Sequence, residues 1–434
     1  MSRGPSRADP GGGAGGGSGT IGDALSPRHN SLNFLRLVLA LAVIISHSIA
    51  FGSFGWWGRW DSYNHTPLGT LAVYGFFGIS GYLIAGSVLG HGPLRYLWQR
   101  FLRIFPAFWI CLILTAFVFG VIAWYAVPQS CPRFSCYLHG ANGPFSYLYR
   151  NALLKVEQSS ISGTPRGDYS PFAWGVWNGS SWTLFYEFLC YLLLLVLAVL
   201  GVLRHRLAVL GLTAVLVVTI AVVTLDSGLR AEFTTTHNWM LMNVMKFSAI
   251  FLVGALIYLY RDRIPDSGWL ALGCTAVFVA DLVVPLHGER TVLGFAVSGI
   301  ATPIIAYPLL WLGAHLPFQR VGARNDYSYG LYIYAFPVQQ LLAIGGATRL
   351  GYVPFTGLVI LGTSILAAAS WWLVEKRALA LKSLRLGARA PTTPAVLVTD
   401  FDYRPSEVSD GPTSRSRPGQ DRTPTGSGPR FRRR

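Results

Sequence analysis

The chain has 434 residues, of which 52% are hydrophobic and only 12% charged, and its mean hydropathy is +0.43. That balance excludes an ordinary soluble domain and describes an all-α, polytopic membrane protein whose outer surface is solvated by lipid. The formal net charge of +16 does not imply nucleic acid as a partner, because Arg and Lys gather in short junctions and in the terminal tails, where they report topology.

Residues 1–28 are rich in Gly, Ser and Pro and are expected to form a disordered cytoplasmic tail. No cleavable leader pattern precedes the first apolar run, so that run is expected to be retained as a membrane helix. A membrane domain is expected over 29–380. Its ten apolar segments lie at about 31–51, 67–89, 104–127, 183–203, 207–225, 241–260, 268–286, 292–313, 327–347 and 355–375. With the N-terminus inside, every inner junction is basic: Arg95, Arg100 and Arg103; Arg204 and Arg206; Arg261 and Arg263; Arg320 and Arg324; Lys376, Arg377 and Lys382. The positive-inside rule therefore predicts a multi-pass protein of the plasma membrane with both termini cytoplasmic. The tail from 381 to 434 returns to Pro, Ser, Thr and Arg and is expected to be disordered, its basic end resting on anionic lipid.

The first segment, Asn30 to Ala50, carries Arg36 and His47. Eleven residues separate them, which at about 100° per residue is three turns plus roughly 20°, so both leave one helical face, about 16 Å apart along the axis. An ionisable group in hydrocarbon is costly unless it faces protein or a wet cavity, so this face is expected to line a pocket. The competing reading is that Arg36 snorkels to the interface while His47 caps the far end. In the second segment Gly75, Gly78 and Gly81 recur every third residue and allow close helix contact. Arg100 and Arg103 follow, three apart and so adjacent on a helix. Beside Arg36 they form a cationic site suited to phosphates, because guanidinium presents forked donors; the alternative is an ordinary basic anchor.

One external connection is long, from about 128 to 182. Cys131 and Cys136 bracket four residues of it and suit a local disulfide in an oxidising compartment. His139 lies close by, but no full set of metal ligands is in view, and no metal is expected. Trp174, Trp177 and Trp182 suit stacking on the sugar faces of an acceptor, and equally suit an interfacial belt. Asn178-Gly-Ser180 matches a glycosylation sequon. The fourth helix then opens Ser181-Trp-Thr-Leu-Phe-Tyr-Glu187, setting a carboxylate at a depth similar to that of His47. A pair of that kind reads as a general base, His47, with Glu187 orienting its ring, or else as a structural hydrogen bond within the membrane.

Taken together, these segments resemble the acyltransferase-3 family of integral membrane acyltransferases, which includes O-acetyltransferases of bacterial surface polysaccharides and macrolide acyltransferases. The resemblance rests on Arg36 with His47, on Phe76 to Gly81, on Arg100, Arg103 and Pro106, and on Trp182, Thr183, Leu184 and Glu187. Ser328 to Tyr334 and Val374 to Arg377 look like the family's closing helices. One position departs: Ala335 stands where the family often has His, so any role of that His is absent or moved. The resemblance implies acyl-CoA, acetyl-CoA foremost, as a co-substrate and not a resident cofactor. Its phosphates would lie near Arg100, Arg103 and Arg36, and a hydroxyl of an envelope glycan, glycolipid or other acceptor would take the acyl group. The alternative is a transporter or flippase that moves a lipid-linked sugar or an anion along the same polar stripe.

Overall fold

Apolar runs in lipid must satisfy their backbone groups internally, so they fold as helices. The computed structural model describes residues 19–26, 29–51, 68–128, 131, 133–140, 142–165, 175–233, 236–283 and 301–383. Among the described residues the protein is all helical, with only two isolated bridges, Thr20 to Pro265 and Ile161 to Thr164.

The main helices are α1 (Leu32–Ala50), α2 (Leu68–Gly90), α3 (Pro93–Leu114), α4 (Thr183–Val199), α5 (Arg206–Leu225), α6 (Thr236–Leu259), α7 (Gly268–Val283), α8 (Ala306–His315), α9 (Ser328–Ile344) and α10 (Tyr352–Ser370). A π-helical turn, Thr115–Phe119, carries α3 on into Gly120–Ala126, and a second, Trp371–Glu375, carries α10 on into Lys376–Ala380. Among the described residues six helices are long and apolar enough to cross a membrane: α1, α2, α5, α10 with its continuation, Pro93–Ala126 and Asn238–Leu259. The expected count of ten spans is not confirmed. Thr183–Val199 and Gly268–Asp281 are apolar but shorter, α8 has only 10 residues, and the stretch before it, 284–300, lies outside the described residues.

The centre of the bundle is α2, the most deeply buried of these spans. It meets α6 backbone to backbone. A Cβ on Gly81 would stand 2.0 Å from the Phe251 carbonyl oxygen, and one on Gly254 would stand 2.2 Å from that of Gly78. Any larger residue at either position would force the two axes apart, whereas Gly78 makes room for Ala306 of α8 and Gly75 for Leu309 of α8 and Leu39 of α1.

Helix α9 lies against α1 and α10. Its buried Gln339 donates from Nε2 to the Ile44 carbonyl and to Ser48 Oγ, both at 2.9 Å, and so crosslinks α9 to α1. Ala335, one turn before, is fully buried in the apolar cluster with Ala40, Ile44 and Phe51. A histidine there would have to displace side chains of that cluster, which α1, α9 and α10 build together.

The amino-terminal expectation needs correction. Residues 19–26 are structured: Thr20 and Asp23 form a reciprocal capping box, and Ile21 N–H donates to the Ile264 carbonyl at 2.9 Å, Gly22 N–H to that of Arg261 at 3.1 Å and Asp266 N–H to that of Gly19 at 2.8 Å. Ile21 is fully buried. A Thr-x-x-Asp signal followed by Leu25 gives this short piece both a helix start and something to bury, which the surrounding Gly and Ser conceal. Residues 1–18 and 384–434 lie outside the described residues, and with them the whole of the second unit, Asp402–Arg434.

The described residues of the long connection are folded. Two short helices, Phe134–His139 and Pro144–Asn151, are joined to the segment after them by buried Asn151. Its Oδ1 accepts from the Glu157 and Gln158 N–H groups at 2.9 and 3.1 Å, and its Nδ2 donates to the Gln158 carbonyl at 2.9 Å. Tyr137 fastens this layer to the bundle by donating its hydroxyl to the Ala116 carbonyl in the first π turn. Burial pushes the Tyr137 hydroxyl pKa up, so it stays a neutral donor. Cys131 and Cys136 are joined as a disulfide, with 6.2 Å between their Cα atoms.

Candidate active site

Helix α1 turns its polar stripe towards α9. Near its N-terminal end, Arg36 Nη1 lies 2.8 Å from Asp326 Oδ2, just before α9 begins. Near its C-terminal end, the His47 ring meets Phe336 of α9 edge-on, with centroids 5.3 Å apart. His47 Nδ1 is buried and has no hydrogen-bond partner among the described residues. Ser48 beside it is committed, donating to the Ile44 carbonyl at 2.8 Å while accepting from Gln339.

Asp326 is the residue that the sequence reading missed. Its Oδ2 also lies 2.5 Å from Arg103 Nη2, while Oδ1 accepts from the Ser328 N–H at 3.1 Å and from the Ser328 hydroxyl at 2.5 Å. One carboxylate thus gathers guanidiniums from α1 and α3 at the start of α9. Burial alone would raise its pKa, but Arg36, Arg103 and the Ser328 hydrogen bonds outweigh that penalty and hold the carboxyl well below the usual carboxylate range. A second acid, Glu375, is carried by the π turn after α10, with Oε2 3.8 Å from Arg103 Nη1; its Oε1 accepts from the Ser370 hydroxyl at 3.1 Å. The signal for Asp326 was available: a lone acid two residues before a helix-opening Ser, in an otherwise basic junction, reads as a turn acceptor with cations in reach.

Arg36, Arg100 and Arg103 line one cleft with Tyr191, Arg324, Asp326 and Lys382. Arg100, on α3, is buried, 3.4 Å from Ser87 Oγ, and its guanidinium lies 5.8 Å from the ring centroids of both Tyr96 and Tyr191. The adjoining groove, about 760 Å³, shares Asn33, Arg324 and Asp326 with the cleft and adds Arg320. The connection before α9 is braced by Asn33 Nδ2 donating to the Gly322 carbonyl at 2.9 Å and by Trp371 Nε1 donating to Asn325 Oδ1 at 2.9 Å. Positive charge is therefore concentrated at the basic end of the bundle on a braced frame, the arrangement that binds phosphates.

Further in lies a smaller cavity that shares Arg36, Arg103 and Tyr191 with the cleft and adds Val73, Phe76, Phe77, Ile104, Thr183, Leu184, Glu187, Ser328, Tyr329 and Tyr332. Glu187 accepts from the Tyr191 hydroxyl, one turn along α4. This corrects the expected Glu187 to His47 pairing. Thr183, a turn outward from Glu187, is hydrogen-bonded to Tyr332, whose hydroxyl also donates to the Ser180 carbonyl at 2.7 Å. Phe336, the neighbour of His47, lies a turn beyond Tyr332. Counted along α4 and α9, the Thr183 to Tyr332 pair therefore lies at a level between the acid and the imidazole, and Glu187 is engaged by Tyr191 instead. Similar depth, inferred from counting residues, did not bring the two side chains together.

The tryptophans separate. Trp174 lies outside the described residues. Trp177 is fully buried, so its ring has no face left for a sugar, and its backbone N–H donates to the Ser159 carbonyl at 2.9 Å. Trp182 packs among Tyr186, Trp239 and Phe247, with centroids 5.6, 5.5 and 5.8 Å away. Asn178 of the sequon is likewise buried, donating to the Tyr147 hydroxyl at 2.6 Å, and is not presented for glycosylation. Among the described residues no group of three or more His, Cys, Asp or Glu is placed to hold a metal.

No solved structure matches the chain. An O-acetyl transferase of Shigella phage Sf6 is 29% identical over 362 residues, covering 83% of this chain and 98% of the relative. Nodulation protein 10 of Rhizobium leguminosarum bv. viciae is 26% identical over 396 residues, covering 84% of this chain and 97% of the relative. The family model described as an acyltransferase domain matches residues 29–374, taking in α1 to α10 and the cleft arginines Arg36, Arg100, Arg103 and Arg324, and by that match the chain belongs to the acyltransferase-3 family of integral membrane acyltransferases.

Proposed function

We propose that this acyltransferase is an acyl-CoA-dependent O-acyltransferase of the plasma membrane, taking acyl groups, acetyl foremost, from cytoplasmic acyl-CoA. The acceptor is a hydroxyl of an envelope glycan, a glycolipid or another molecule reached from the far side. The observation that carries this reading is the convergence of Arg36, Arg100 and Arg103 on one cleft at the basic end, with His47 on the stripe of α1 that also bears Arg36. The name of the phage relative, O-acetyl transferase, supports an acetyl group and an oxygen acceptor. The disulfide in the long connection supports an oxidising compartment on that side.

In this reading the arginines bind the donor phosphates through charge-assisted bonds, and the extended arm, about 15–20 Å long by the reach of a similar extended chain, carries the thioester inward. The Thr183 to Tyr332 pair must part for the thioester to meet the acceptor. The acceptor hydroxyl passes its proton to His47 as its oxygen bonds to the thioester carbonyl carbon. The carbon–sulfur bond then breaks, and the departing sulfur takes the proton, leaving ester and free CoA.

Membranes containing the protein, incubated with labelled acetyl-CoA, are expected to place label on an envelope fraction, and membranes lacking it are not. Equal labelling of the two overturns the proposal and favours movement of a lipid-linked sugar or anion instead. Topology gives a separate check. A reporter fused after Lys382 is expected to read as cytoplasmic and one inserted at Gly140 as external; the opposite pattern would put the arginine cleft on the side without acyl-CoA.

A further inference from the structure

The inner cavity has a chemistry of its own. Its lining has a polar part, Arg36, Arg103, Glu187 and Tyr191, of which all but Glu187 also line the arginine cleft, whereas Val73, Phe76 and Phe77 of α2, with Leu184 of α4, supply an apolar wall. That wall is held from behind. Phe77 stacks on Phe247 with centroids 4.3 Å apart, Leu184 is buried, and Phe76 meets the Tyr332 ring edge-on at 6.0 Å. Tyr332 is itself tied to Thr183 and Ser180. Such a wall resists being pushed back, because forcing extra methylenes into a packed site displaces side chains and backbone.

The size of the cavity then becomes a chemical statement. It measures about 50 Å³, and since roughly 10–15 Å³ of such space accommodates one water, it houses roughly three to five heavy atoms. An acetyl thioester end has four: methyl carbon, carbonyl carbon, oxygen and sulfur. A butyryl group adds two carbons and a hexanoyl group four, more than that volume houses.

We propose that this inner cavity is the acyl-group pocket and that Phe76, with Val73 and Leu184, restricts the protein to short acyl chains. This rests on the reading of the protein as an acyl-CoA-dependent transferase and adds to it the length of the group transferred. The polar part of the lining faces the thioester and the arm leading from the arginine cleft, and the apolar wall faces the methyl end. Parting of the Tyr332 hydroxyl from Thr183 opens the carbonyl to the acceptor while the wall from α2 stays in place.

The test compares acetyl-, butyryl- and hexanoyl-CoA as donors to one acceptor preparation, in membranes carrying the parent, Phe76→Ala or Val73→Ala at matched protein levels. The parent is expected to prefer acetyl over hexanoyl by at least about 100-fold in kcat/KM, with butyryl between, in keeping with about 10–200-fold for a single misfitting methylene in an apolar pocket. Phe76→Ala is expected to narrow that ratio at least about tenfold, and Val73→Ala by a smaller factor in the same direction. A parent that uses hexanoyl as readily as acetyl overturns the pocket, as does an unchanged ratio in whichever variants insert and transfer. If neither variant inserts, the chain-length profile of the parent decides alone. A parent that transfers from none of the three donors defeats the acyl-CoA reading itself, an outcome distinct from loss of chain-length selection.

Discussion

Membranes carrying His47→Ala are expected to transfer acyl groups at least about 10² times more slowly than the parent, because positioned general-base catalysis typically supplies about 10²–10⁴ in rate. The ring is well placed for this. It shares the α1 face with Arg36, which is engaged by Asp326, and it meets Phe336 edge-on, a contact that helps to hold the ring. Its Nδ1 is buried and has no hydrogen-bond partner among the described residues, so a proton-accepting nitrogen is not already occupied by a neighbouring donor. Since the Arg36 to Asp326 contact does not involve the imidazole, donor binding in His47→Ala is expected to persist. Transfer near the parent rate would place the base elsewhere. Loss of donor binding together with transfer would make His47 a binding or structural residue. Glu187→Gln is expected to alter the inner cavity and its bond with Tyr191, with an effect that does not track that of His47→Ala.

The second large effect is expected at Arg103, which joins donor binding to the stability of the frame. Its guanidinium lies between Asp326, at 2.5 Å, and Glu375, at 3.8 Å, and those two carboxylates are only 15% and 3% exposed. Removing one partner of a buried ion pair costs about 3–5 kcal/mol, because the remaining charge loses its compensation. That is a large part of the roughly 5–15 kcal/mol that holds a typical domain folded. Arg103→Ala is therefore expected to lower both the amount of folded protein and its use of acyl-CoA. Arg103→Lys separates the two: a single ammonium keeps a charge beside Asp326 but lacks the fork that reaches Glu375 and a phosphate at once. It should accumulate better than Arg103→Ala while showing a raised KM for acyl-CoA. A KM equal to the parent's would make Arg103 a brace alone.

The pH dependence of this frame has a definite sign. The folded-state pKa of Asp326 is depressed below the ordinary aspartate value of 3.8, so its contribution is fully present above that value and is lost only as pH falls through the lower, folded-state pKa. Between about pH 5 and 8 the Asp326 bridge stays ionised, and a change in transfer rate across that window belongs to another group.

How far the sequence reaches can be followed along α1. The phase relation of Arg36 and His47 depends only on helical geometry, and an apolar run in lipid has no other fold open to it, so the shared stripe is legible from spacing alone. The glycine spacing of α2 announces a close contact in the same way, yet names no partner. That α6 provides it, through Phe251 and Gly254, depends on the packing of segments far apart in the chain. The buried ends of residues 19–26 were masked by composition, because a short capped turn gains its stability from the Arg261–Asp266 segment against which it docks. Glu187 shows the limit most clearly. Its depth follows from its place on α4, but depth does not specify the direction in which a side chain leaves its helix or which partner it meets; Glu187 is engaged by Tyr191. Asp326 lies 290 residues from Arg36 and 223 from Arg103. No local period encodes such a meeting. The sequence by itself determined the helices, their basic ends and the cations and imidazole they carry, because those follow from hydropathy and helical phase. Only the tertiary structure decided which carboxylate gathers the arginines and which is taken up by Tyr191 instead of the histidine, because burying an ion pair requires a partner brought across the bundle by packing.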